Sequence, residues 1–169
     1  MTMPTTMQPR LLLACLALLS PAAQAHGDPP MTHAAHAVAP EQQDWGIAGD
    51  PHAVTRSITL RMTDAMRFEP SRIEVREGET VRLRAVNRGK LLHEIVLGTE
   101  AALKAHAELM LKHPGMEHDE PHMAHVPAGR RGDVVWTFNR AGTFDFACLI
   151  PGHYEAGMTG RIVVTPRQP

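Results

Sequence analysis

Three residues that bind soft metal ions follow one another at intervals of five positions: Cys148, His153 and Met158. A thiolate, an imidazole and a thioether together favour copper, especially when one further histidine joins them. A proline and two glycines lie between these residues and predict a tight loop, which can turn the three side chains towards one point. Taken singly, each residue would more often be explained by packing or solvation. The joint arrangement predicts a metal site.

The further histidine is expected upstream, at His93. It alternates with Ile95 and Leu97, so the three side chains should share one face of a strand and point into the domain. A hydrogen-bond partner should orient His93 through its second ring nitrogen, although the sequence does not name that partner. Two imidazoles, a thiolate and a distant thioether describe an electron-transfer copper site, and the thioether disfavours zinc as the alternative ion.

Short strands are expected to position these residues. Apolar and polar residues alternate in about seven or eight segments separated by turn signals, a pattern typical of a β-sandwich. One short helix is predicted over 99–112, with Thr99 as its N-cap and His113-Pro114-Gly115 as its end. The expected strands lie within 57–62, 68–75, 81–85, 93–97, 134–138, 144–148 and 162–164.

Residues 1–25 have the features of a cleaved signal peptide. Arg10 supplies a positive charge, 11–19 an apolar run, and Ala23-Gln24-Ala25 a small-residue cleavage site. The apolar run is too short to span a bilayer, so we expect no stable membrane insertion. Cys15 offers the alternative of a lipoprotein signal, which the short apolar run before it disfavours. We expect a periplasmic protein.

The remainder of the chain is predicted to hold one domain. Residues 26–53 are rich in alanine, proline, histidine and glycine and predict a flexible tail, whereas 54–169 form the domain, with a helix and a His/Met-rich insertion over 99–131. The formal net charge of −1 gives no basic surface for nucleic acid. Cys148 is the only cysteine left after cleavage, so metal ligation explains it better than a structural disulfide.

A second group of possible ligands lies after the predicted helix. Mixed imidazole and thioether groups on a loop suit weak, exchangeable capture of copper; the alternative is a solvated loop without metal contact. The histidines of the tail either bind copper or have no metal contact. Copper binding is plausible chemically, because cleavage after Ala25 would leave a free α-amine beside the imidazole of His26, and the two can chelate copper together. The predicted accessory copper ligands are His113, Met116, His118, His122, Met123 and His125 in the loop, and His26, His33 and His36 in the tail.

The sequence resembles the cupredoxin family of blue-copper proteins, and within it the periplasmic CopI-like proteins associated with bacterial copper tolerance. The resemblance covers roughly 54–166 and is weakest across 99–131. It implies a Greek-key β-sandwich and one copper ion, cycling between Cu(I) and Cu(II). The segments that carry it are Phe68-Glu69-Pro70, Gly78-Glu79-Thr80-Val81, His93-Glu94-Ile95-Val96-Leu97-Gly98 and Cys148-Leu149-Ile150-Pro151-Gly152-His153. The copper ligands that it implies are His93, Cys148, His153 and Met158.

Two functions remain open on these grounds. One is copper tolerance, in which the protein binds copper and could also transfer electrons or oxidise Cu(I), with a periplasmic redox or copper-handling protein as partner. The other is a soluble electron carrier that shuttles between redox partners. An oxidase or reductase is less favoured, since by family resemblance such enzymes carry histidines beside the cysteine, and Ala147 and Leu149 stand there instead. A binuclear copper site would need a second cysteine. We therefore expect no substrate-turnover centre.

Overall fold

Two β-sheets enclose a common hydrophobic core that contains the predicted metal ligands Cys148 and Met158. The computed structural model describes residues 40–116 and 118–168. Within these residues the strands are β1 (Gln42–Gln43), β2 (Gly46–Ala48), β3 (Arg56–Thr63), β4 (Arg67–Glu69), β5 (Arg72–Arg76), β6 (Thr80–Asn87), β7 (His93–Gly98), β8 (Met123–Val126), β9 (Arg131–Thr137), β10 (Gly142–Ala147) and β11 (Thr159–Thr165). The helices are a 3₁₀ turn (Pro51–Ala53) and α1 (Glu100–Lys112).

The first sheet has the strand order β1-β2-β9-β6-β3-β4, and the second has the order β5-β11-β10-β7-β8. Most neighbouring strands are antiparallel, but β3 pairs with β6 and β11 pairs with β5 in parallel. The expected Greek-key β-sandwich with one short helix is confirmed. In the second sheet β7 and β10 lie side by side, so the strand that begins at His93 neighbours the strand that leads into Cys148.

Strand β7 is buried along its whole length. Its inward residues reach the common core, while Val96 packs with Leu103 and Met110 of α1 in a second cluster. The helix therefore covers the outer face of this sheet, which explains why Ile95, Val96 and Leu97 form a continuous apolar run in β7. Thr99 caps α1 as predicted, because its hydroxyl accepts a hydrogen bond from Ala102 N at 3.1 Å.

Three segments differ from the sequence prediction. The expected strand over 68–75 is two strands in different sheets, since Pro70 has no N–H for a sheet and lies where the chain crosses over. Strands β1 and β2 lie in the segment 26–53 that was predicted to be a flexible tail. Strand β1 pairs with β2, and β2 pairs with β9. Trp136 Nε1 of β9 also donates to the carbonyl of Trp45 at 2.9 Å. Strand β8 lies inside the predicted loop and pairs with β7.

Over the described residues, none of the helices combines the length and the apolar character needed to cross a membrane.

Candidate metal centre

The end of β10 and the start of β7 bring together two of the residues that the sequence singled out. His93 is the first residue of β7, and Cys148 follows the last residue of β10. Both side chains are fully buried. A loop over 149–158 then returns the chain to β11 and supplies His153 and Met158, which are also buried. All four predicted copper ligands thus lie at one end of the sandwich.

Backbone hydrogen bonds give the loop a fixed shape. Cys148 N donates to the carbonyl of Met158, and Met158 N donates to the carbonyl of His153, each at 3.0 Å. Gly152 and Gly157 have φ angles of +89° and +86°, the left-handed region that glycine enters without a steric penalty. The tight loop predicted from these residues is present, and it ties the backbone of Met158 to those of Cys148 and His153.

Three ligand atoms converge in this region. Cys148 Sγ lies 3.2 Å from His153 Nδ1, and the rings of His93 and His153 have centroids 5.0 Å apart. The ligand atoms of His93, Cys148 and His153 lie within 4.8 Å of one another. Two imidazole nitrogens and one sulfur on this scale match the His₂Cys set of a mononuclear copper site.

The two nitrogens of His93 have different surroundings. Its Nε2 lies 3.2 Å from Asp64 Oδ1, whereas its buried Nδ1 has no hydrogen-bond partner among the described residues. A buried polar atom without a partner is costly, so a metal ion bound at Nδ1 would satisfy it. Asp64 is held in turn by the backbone N–H groups of Lys90 and Leu91, at 2.8 to 3.2 Å. Asp64 is the orienting partner that the sequence could not name.

The thiol of Cys148 sits in a dry environment. Burial raises the pKa of Cys148 to about 12, despite a hydrogen bond of 3.4 Å from Glu94 N to the sulfur. Burial, and then the proximity of His93, lower the pKa of His153. Without a cation the site therefore holds a neutral thiol and a neutral imidazole, and a bound metal ion would displace the thiol proton.

Four histidines, three of them predicted accessory ligands, approach one another, and we call them the histidine cluster. His106 comes from α1, His118 and His122 from the loop that follows it, and His125 from β8. The ring of His118 has its centroid 4.6 Å from that of His106 and 6.3 Å from that of His125. His122 lies half-buried near two tryptophan rings. Burial, followed by the charges of His118 and His122, lowers the pKa of His106.

The other predicted accessory ligands have different positions. His113 is exposed at the end of α1, and Met116 is also exposed. Met123 is buried among apolar side chains of β7 and α1, although it borders the cleft beside the histidine cluster. His26, His33 and His36 lie outside the described residues. The structure therefore groups His118, His122 and His125 with His106, which was not among the predicted ligands.

Glu94 contacts both the candidate copper ligand Cys148 and the histidine cluster. Its backbone N–H donates to Cys148 Sγ, and its carboxylate accepts a hydrogen bond from Leu149 N at 2.8 Å. The other carboxylate oxygen lies 2.9 Å from Nε2 of His125. Burial raises the pKa of this carboxyl group. Glu94 was not recognisable as a functional residue from the sequence, since its contacts link three separate segments of the chain.

Comparison with known proteins agrees with this geometry. The family described as "Copper binding proteins, plastocyanin/azurin family" matches residues 54–165. A crystal structure of reduced auracyanin from Roseiflexus castenholzii superposes with a TM-score of 0.58 at 20% identity and covers 67% of this chain and 99% of its own. At this identity the likeness concerns the fold.

Two curated relatives carry the name copper-resistant cuproprotein CopI. The protein from Rubrivivax gelatinosus is 47% identical over 155 residues, which cover 90% of this chain and 94% of the relative. The protein from Pseudomonas aeruginosa is 35% identical over 153 residues, covering 73% and 84%. The chain is a copper-binding protein of the plastocyanin/azurin family, the cupredoxins.

Proposed function

We propose that this cupredoxin serves copper tolerance in the periplasm, with one copper ion held by His93, Cys148 and His153 and with Met158 as a weak fourth ligand. The observation that carries the proposal is the convergence of three buried ligand atoms within 4.8 Å. The buried Nδ1 of His93, which has no hydrogen-bond partner within 40–116 and 118–168, also supports it. The name of the two curated relatives supports the assignment to copper tolerance.

The protein's contribution is to hold a fixed set of ligands. Bound copper would supply one-electron chemistry, between Cu(I) and Cu(II). Asp64 fixes the ring of His93, and the hydrogen-bonded loop fixes His153 against Cys148. A site with little freedom to rearrange suits both oxidation states, so either electron transfer or oxidation of Cu(I) would use the same ligands. The signal-peptide features of residues 1–25 support a periplasmic location for this activity.

The test is complementation of a strain that lacks the gene for this chain. We expect the wild-type chain to restore growth on copper and the Cys148→Ser variant, expressed to the same level in the periplasm, to fail. The matched control is Ser57→Ala, which changes an exposed strand residue and should restore growth fully.

Two results would contradict the proposal. Full copper tolerance with Cys148→Ser would show that the thiolate site is not what protects the cell. Normal copper tolerance in the deletion strain, together with slowed electron transfer between redox proteins, would favour the soluble electron carrier instead.

A further inference from the structure

The histidine cluster is not explained by the copper site described above. It lies on the other side of Glu94 from Cys148 and is built from α1, the following loop and β8. Its central residue is His118. If His118 only packed the core, each of its buried ring nitrogens would be expected to have a protein hydrogen-bond partner.

Both ring nitrogens of His118 are buried, and neither has a hydrogen-bond partner among the described residues. A neutral imidazole carries one N–H donor and one acceptor nitrogen, so two opportunities for a polar contact are unused. Leaving a buried polar atom unsatisfied destabilises the folded protein. His118 is also one of the residues that line a cleft of about 980 Å³.

The spacing of the rings suits a shared ion. The centroids of His118 and His106 lie 4.6 Å apart, a separation close to the 5.0 Å between His93 and His153 in the first site. Imidazoles whose nitrogens each lie about 2.0–2.1 Å from one ion have centroids separated by roughly 4–6 Å. Of the described residues only the first site has three ligand atoms within 4.8 Å of one another, so the cluster must contract slightly when it binds.

The cleft also offers ligands of other kinds. Met110 and Met116 line it together with His118, and so does the buried carboxylate of Glu94, which lies beside His125. Imidazole accepts either oxidation state of copper and thioethers favour Cu(I), whereas a site for magnesium or calcium would be built from oxygen ligands. The donor set therefore favours copper.

We propose that the histidine cluster is a second copper site, formed by His106, His118 and His125, with His122 and the cleft methionines as further ligands. It lacks a thiolate, so copper bound there gives no intense visible absorption. The choice of copper rests on the proposed function, whereas the presence of a metal site rests on the geometry of the cluster. Glu94 spans the short distance between this site and Cys148 through its backbone and its carboxylate.

The experiment is a titration of the full signal-free chain with Cu(II), followed by desalting and by measurement of both total copper and the thiolate absorption band. His26, His33 and His36 are replaced by alanine in every sample, so that copper on the tail is not counted. We expect this background to retain two coppers per chain, one of them without visible colour. The double variant His106→Ala/His118→Ala should retain one copper and keep the full absorption band.

Two further variants separate the sites. Cys148→Ser should lose the band and retain one colourless copper, and His52→Ala, which changes an exposed histidine on the 3₁₀ turn, should behave like the background. Two coppers retained by the double variant would overturn the second site, as would one copper in the background with its full band. A background that binds copper without any band would instead contradict the first site, so the two failures are distinguishable. Circular dichroism of each variant confirms that it is folded.

Discussion

Single residues decide whether this fold can hold copper tightly. Among the residues that the structure describes, Nδ1 of His93 has no hydrogen-bond partner, whereas Asp64 lies 3.2 Å from Nε2. Asp64 is itself aimed by backbone N–H groups of the turn before β7, which belongs to a different segment of the chain. Hydrogen bonding of this kind fixes the tautomer and the orientation of a histidine ligand and raises its basicity.

We therefore predict that Asp64→Asn lowers copper affinity. Loss of the carboxylate behind a ligating histidine typically weakens metal binding about 10–100-fold. Competition with a copper chelator, monitored through the thiolate absorption band, measures the change. Asp44→Asn is the matched control, because Asp44 is an exposed carboxylate paired only loosely with Arg140 at 3.6 Å. Equal affinities for the two variants would show that Asp64 does not orient His93.

At the scale of elements, the site depends on a loop that two strands hold in place. The end of β10 and the start of β11 hold the loop between Cys148 and Met158. Their antiparallel pairing continues up to the loop, where Ala147 pairs with Thr159. Inside the loop, two glycines adopt left-handed backbone conformations. A side chain at either position would oppose the conformation that turns His153 towards the cysteine.

Gly152→Ala tests this role of the loop. The position has a φ angle of +89° and open space around it, so the substitution adds backbone strain without a steric clash. We expect a loss of about 1 kcal/mol in the free energy of unfolding, measured by urea denaturation of the copper-free protein. Gly115→Ala is the control, since that glycine also has open space but no left-handed φ. An unchanged unfolding midpoint for Gly152→Ala would contradict the assigned strain.

At the scale of the whole molecule, the fold was largely predictable and the contacts between segments were not. The alternation of Ile58, Leu60 and Met62 correctly predicted β3, and the capping of α1 by Thr99 was also predicted. Local patterns of this kind reflect the burial of one face and the needs of a helix terminus, both of which are encoded in neighbouring residues.

What the sequence did not reveal depends on pairing over long distances. Strands β1, β2 and β8 are too short for a clear alternation. They are defined by pairing, β2 with β9, β8 with β7 and β1 with β2. Asp64 and His93 are 29 positions apart, and Glu94 and Cys148 are 54 apart. The copper ligands were still recognisable, because three of the four residues lie in one segment with a distinctive spacing. Their assignment as copper ligands stays a prediction until copper is bound.

The most direct test of the central claim is the visible spectrum of the signal-free protein titrated with Cu(II), compared with that of Cys148→Ser. If His93, Cys148 and His153 hold the copper, the wild-type chain will develop an intense thiolate-to-copper band whose full intensity corresponds to one copper per chain. The variant will show none of it. A band of the same intensity in Cys148→Ser, or no band in the wild-type chain at copper saturation, would contradict the assignment of this site.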